Sequence, residues 1–104
     1  MFGNLGEMAS LFKKAKDIQR NMAQMKEEMA RSEYSAATPD SGVTVLVSGD
    51  FRIKTITVTD AARSAADLNE RITATVNAAL DAAKSAMQSR MKEISGGLNI
   101  PGLF

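Results

Sequence analysis

Three cations near the start of the chain, Lys13, Lys16 and Arg20, stand at i, i+3 and i+7, with Lys14 beside them. On a helix this spacing gathers them into one stripe. A one-sided row of ammonium and guanidinium groups suits phosphate oxygens, and each such contact releases condensed counterions. Phosphate contacts of this kind position a protein on a duplex without reading its sequence. Asp17 interrupts the stripe and Glu27 and Glu28 end it, which confines it to the N-terminal half of its helix. A solvated helix face carries the same pattern. With Lys and Arg at 13 and Asp and Glu at 12, the net charge of +1 gives no overall positive field to favour either reading. Lys84 and Arg90 border a second apolar seam, where they can snorkel over apolar contacts or point towards a partner. They form a second-rank set of DNA-contact candidates.

Little else in the chain can do chemistry. There is no Cys and no His, which excludes disulfides, Cys or His metal sites, thiol nucleophiles and His-based triads. Ser10-Leu11-Phe12-Lys13 matches a Ser-x-x-Lys pattern, but it falls inside a helix and has no companion motif. Glu27 and Glu28 are adjacent on a helix and point in different directions, so they make no catalytic pair. No phosphate-cradling Gly loop is present. With no Trp and only 5% aromatic residues, base-stacking platforms are not expected. The chain is therefore expected to be no enzyme, with no cofactor, no metal and no small-molecule substrate. No stretch reaches the ~20 apolar residues of a membrane span. Met1 to Glu7 lacks the pattern of a signal peptide, so the expected location is the cytoplasm.

The cations must be held by helices. Met8, Leu11, Ala15, Ile18, Met22, Met25 and Met29 repeat at alternating spacings of three and four, a heptad seam that predicts one helix from about Asn4 to Ser32. Asn4 and Glu7 resemble a capping box. Glu33 to Thr38 is a weak strand candidate. Pro39-Asp40-Ser41-Gly42 has the composition of a turn, and Val43 to Ser48 alternates with Val43, Val45 and Val47 on one face. Gly49-Asp50 fits a two-residue hairpin with Gly at the first central position, leading into a third strand from Phe51 to Thr59. Phe51 and Ile53 share one parity, Ile56 and Val58 the other; a bulge near Lys54-Thr55 reconciles them, as does burial on both faces. A loop around Asp60 to Ser64 precedes a second helix, from Ala65 or Asp67 to Ser95. Its seam of Ile72, Val76, Leu80, Ala83, Met87, Met91 and Ile94 has an 11-residue period. Gly96-Gly97 stops it, and residues 96–104 read as a flexible apolar tail.

The result is one α+β domain over residues 1–104: long helix, three-stranded antiparallel meander, long helix. A small meander can cover only part of either ~40 Å helix. The uncovered remainder drives association, at roughly 1.5–3 kcal/mol per buried Met, Leu or Ile. A homodimer is the expected answer, with Met8, Leu11, Ile18, Met22, Met25, Val45, Val47, Ile72, Val76 and Leu80 forming dimer or core seams.

The order of these signals resembles the YbaB/EbfC family over essentially the full length. The resemblance is carried by Met1-Phe2-Gly3-Asn4-Leu5, by Lys14-Ala15-Lys16-Asp17-Ile18-Gln19 and by Met22-Ala23-Gln24-Met25-Lys26-Glu27-Glu28. Ile56-Thr57-Val58-Thr59-Asp60 and Val76-Asn77-Ala78-Ala79-Leu80-Asp81-Ala82-Ala83 continue it. Its most specific pieces are Gly96-Gly97-Leu98 and Pro101-Gly102-Leu103. The resemblance implies an α-β-β-β-α chain in a tweezer-like homodimer, binding of double-stranded DNA, nucleoid localisation with effects on nucleoid organisation and gene expression, and no catalysis. It brings no DNA-contact motif that maps residue by residue. The segment Ala61 to Ala66 is shorter and less acidic than is usual in the family. The alternative left open is a homodimeric protein-interaction scaffold that does not bind DNA.

Overall fold

The structure, a computed structural model, describes residues 2–95, with side chains described over 6–94. The expected tail, 96–104, lies outside the described residues. The elements are helix α1 (Phe2–Arg31), strands β1 (Glu33–Ala37), β2 (Val43–Ser48) and β3 (Ile53–Val58), a one-turn helix α2 (Asp60–Arg63) and helix α3 (Leu68–Ser95). The strands form one antiparallel sheet in the order β1-β2-β3. The expected α-β-β-β-α order is therefore observed.

Four details differ from the sequence expectation. The backbone is helical from Phe2, so Asn4 lies inside the first turn and is not its cap. The loop after β3 contains α2, because the Thr59 hydroxyl accepts from the Ala62 N–H at 3.2 Å and caps that turn. The second long helix then starts at Leu68, slightly later than read. Finally, Phe51 belongs to the hairpin turn and not to the third strand. Its N–H donates to the Ser48 carbonyl at 3.0 Å, while the Ser48 N–H reaches the Arg52 carbonyl at 2.8 Å. The loop is thus Gly49-Asp50-Phe51, with Phe51 in the left-handed region at φ 65°. Gly49 has no left-handed φ, and its small size serves another purpose. Met29 of α1 packs so tightly against it that a Cβ would collide with the Met29 carbonyl.

The β3 bulge falls where the alternation predicted it. Leu46 pairs with Thr55 and Val47 with Ile53, which leaves Lys54 as the extra residue. The bulge places Ile53 on the same face as Ile56 and Val58, opposite Val47, Val45 and Val43 respectively. Those three valines are fully buried. Above them lies α3, which packs across β1 and β2. The centre of its buried face runs through Thr75, Ala79 and Ala83, with Ile72, Val76 and Leu80 half-buried around it. Small side chains at the centre let helix and sheet approach closely, so the largest apolar residues flank the contact line instead of defining it. Thr75 satisfies its hydroxyl by donating to the Arg71 carbonyl at 2.7 Å.

At one end of the sheet, α1 turns into β1 through Ser32 alone. The Ser32 hydroxyl and N–H both bond back to the Glu28 carbonyl, at 2.8 and 3.0 Å, and its own carbonyl accepts from the Gly49 N–H at 3.0 Å. Met25 and Met29 are buried there. The rest of α1 projects away, and the molecule measures 73 × 21 × 16 Å.

Candidate nucleic-acid interface

The heptad seam fixes which side of α1 faces outward. Met25 and Met29 face the body, so Lys13, Lys16 and Arg20 lie on the opposite side of the projecting arm, with Lys14 on its flank. All four are exposed. Arg20 is 3.9 Å from Asp17, a loose i,i+3 pair with both side chains at least half exposed. Lys13, Lys14 and Lys16 have no carboxylate partner among the described residues. Charge is also segregated along the chain. Residues 1–26 carry five basic and two acidic side chains, whereas the remainder carries eight basic and ten acidic. The near-neutral total therefore conceals a cationic arm and an anionic body, and only the arm offers a field suited to a polyanion.

The second-rank candidates separate. Lys84 is exposed on α3 and forms no ion pair among the described residues. Arg90 is half-buried, and its guanidinium binds the Glu28 carboxylate. That contact fastens the end of α3 to α1 and engages the charge within the protein. Two exposed cations outside the original reading, Arg52 and Arg63, each lie 3.7 Å from an aspartate, Asp50 and Asp60 respectively. Lys54 is 3.4 Å from Glu33. The body's cations are thus largely matched by its own acids.

One such match is a hydrogen-bonded network. Asp40, in the β1–β2 turn, accepts from the Thr38 hydroxyl at 2.6 Å and the Gly42 N–H at 3.0 Å, and its other oxygen accepts from Arg71 at 3.0 Å. The Arg71 Nε donates to Asp67, also at 3.0 Å. The Thr38 hydroxyl, the Gly42 N–H and the Arg71 guanidinium together hold the Asp40 carboxyl down at about 2. Hydrogen bonds to Asp67 and Asp40 push the Arg71 guanidinium up in turn. This cluster ties the hairpin tip to the start of α3, and Arg71 bonds to both its acids. No group of His, Cys, Asp or Glu that could hold a metal occurs among the described residues.

Residues 4–98 match the YbaB/EbfC DNA-binding family. The chain belongs to that family. A nucleoid-associated protein of Clostridium kluyveri is 35% identical, over 99% of this chain and 93% of the relative. Another, of Synechocystis sp., is 32% identical over 97% and 90%. A third, of Pseudomonas fluorescens, is 30% identical over 92% and 91%. The YbaB/EbfC family is a DNA-binding and not an enzyme family, in agreement with the expectation from the sequence. No helix among the described residues is long and apolar enough to cross a membrane.

Proposed function

We propose that the protein binds double-stranded DNA in the bacterial nucleoid as a homodimer, gripping phosphates through the outward stripe of α1. The observation that carries this reading is that Lys13, Lys14 and Lys16 have no carboxylate partner among the described residues, on a cationic arm of a near-neutral chain. Family membership supplies the partner. Binding is dominated by backbone contacts, with weak sequence preference from base edges or DNA shape.

The dimer is argued from the sheet. α3 covers β1 and β2 but leaves β3 open, so Ile53 and Ile56 stay 49% and 44% exposed on the core-side face. Phe51 at the adjoining turn is 44% exposed. A second copy related by a two-fold axis covers this strip and presents two arms to one duplex.

The direct test compares wild type with a Lys13→Ala/Lys16→Ala/Arg20→Ala variant on several unrelated duplexes at low salt. All three side chains are exposed, so the variant should fold and dimerise as wild type does. It should lose affinity uniformly, by at least tenfold. Equal binding by the two proteins would remove α1 from the interface. A wild type with no duplex affinity would favour the scaffold reading, which draws on the exposed Leu11 and Phe12 of the arm.

A further inference from the structure

The apolar stripe of α1 continues from Met25 through Met22, Ile18, Ala15 and Leu11 to Met8, but its burial does not. Met25 is 2% exposed, whereas Leu11 and Met8 are 65% and 53% exposed, with Phe12 beside them at 66%. Met8, Leu11, Phe12 and Ala15 line a shallow apolar groove towards the tip of the arm. From Ile18 onward the large apolar residues of α1 are half-buried or buried. The two edges of the groove differ. Glu7 and Lys14 stand one heptad apart on one edge, and Phe12 and Gln19 on the other. Glu7 and Lys14 are both exposed, and neither forms an ion pair among the described residues.

An edge that carries an acid and, one heptad on, a base is complementary to itself when reversed. In an antiparallel pair of identical helices, each edge meets the same edge of the other copy. With Met8 of one copy level with Leu11 of the other, Glu7 of each is offset by only ~3 Å along the axis from Lys14 of the other. Two-fold symmetry makes both ion pairs at once. Sliding by one heptad, so that Leu11 is level with Ala15, sets Lys14 against Lys14. A parallel pair sets Glu7 against Phe12 and Lys14 against Gln19, with no charge matched. Charge therefore singles out one orientation and one register, and in that register the exposed Met8 and Leu11 cover each other.

We propose that the tip of α1 is an interface with a second copy of this chain, in which two arms pair antiparallel through Met8 and Leu11, with Glu7 of each against Lys14 of the other. Lys13, Lys16 and Arg20 lie on the far side of the arm and stay outward. The overlap from Gly6 to Lys13 is about two turns in each copy, less than a standard interface, so the contact is weak and forms as concentration rises. It does not depend on DNA binding. On the homodimer reading above, each dimer has two arms, and tip pairing links dimers to one another; that last step rests on the reading, whereas the tip contact does not.

Sedimentation velocity of the full-length chain at low salt, over a series of rising concentrations, tests this. Wild type should show species heavier than the dimer. Glu7→Lys sets Lys against Lys, and Lys14→Glu sets Glu against Glu. Each turns two exposed attractions into repulsions and should weaken the association roughly tenfold. Mixing the two variants makes every facing pair attractive again and should recover the wild-type association. Gln19→Lys, a charge change outside the overlap, should have no effect. Single variants that associate as wild type does, or a mixture no better than either alone, would overturn the proposal and leave the groove to another occupant. A wild type with nothing above the dimer would overturn it too. In an Ile53→Asp/Ile56→Asp background the tip contact can join only two chains, and adding Glu7→Lys should still weaken that pair. This separates failure of the tip contact from failure of the β3 interface.

Discussion

Gly49 and Asp40 show how single residues join the parts of this chain. Gly49 sits against the Met29 backbone, so Gly49→Ala has no room and should destabilise the protein by about 1–3 kcal/mol. Chemical denaturation with an unchanged m-value would check this; a midpoint equal to wild type would show that α1 does not pack there. Asp40 acts through charge. Its carboxyl titrates at about 2 in the folded protein, below its ordinary 3.8, because the Thr38 hydroxyl, the Gly42 N–H and Arg71 stabilise the anion. The unfolded chain therefore binds the proton more readily. Asp40 contributes stability above pH ~4, and the contribution is lost as pH falls through ~2. Thermal melts followed across that window should show a smaller decline in Asp40→Asn than in wild type. Identical declines would mean that the Thr38 hydroxyl, the Gly42 N–H and Arg71 do not stabilise the Asp40 anion.

At the scale of elements, much of the fold was legible because its signals are periodic. The heptad of α1, the alternation of Val43, Val45 and Val47, and the phase change around Lys54 each have one simple geometric solution. What was missed depends on contacts between elements. Ala79 and Thr75 stand outside the seam of larger apolar residues, yet they are buried on the face of α3. Gly49-Asp50 suggested a two-residue turn; the close packing of Met29 and the left-handed Phe51 produce a three-residue one. The cationic stripe was readable as a spacing. That Lys13, Lys14 and Lys16 form no ion pair among the described residues, and that Glu28 engages Arg90, required the structure. The exposed β3 face gives a prediction at this scale. Ile53→Asp with Ile56→Asp should convert a dimer of about twice 11.1 kDa to the monomer mass in light scattering. A variant that remains dimeric would move the interface elsewhere.

The whole molecule is poorly suited to solitude. Its radius of gyration is 20.0 Å, against about 13 Å for a compact chain of this length. The excess comes from the arm of α1, which extends beyond the sheet and carries cations on one side and apolar residues on the other. On the proposed function, the cationic face of the arm is the one that meets DNA. In a dimer the stripe occurs twice, so Lys13, Lys16 and Arg20 supply up to six phosphate contacts. The most direct measurement is the salt dependence of duplex affinity. Log Kobs should fall linearly with log salt, and the Lys13→Ala/Lys16→Ala/Arg20→Ala variant should have a slope shallower by roughly 5, near 0.9 for each lost contact. Parallel lines for the two proteins would contradict a DNA interface on α1.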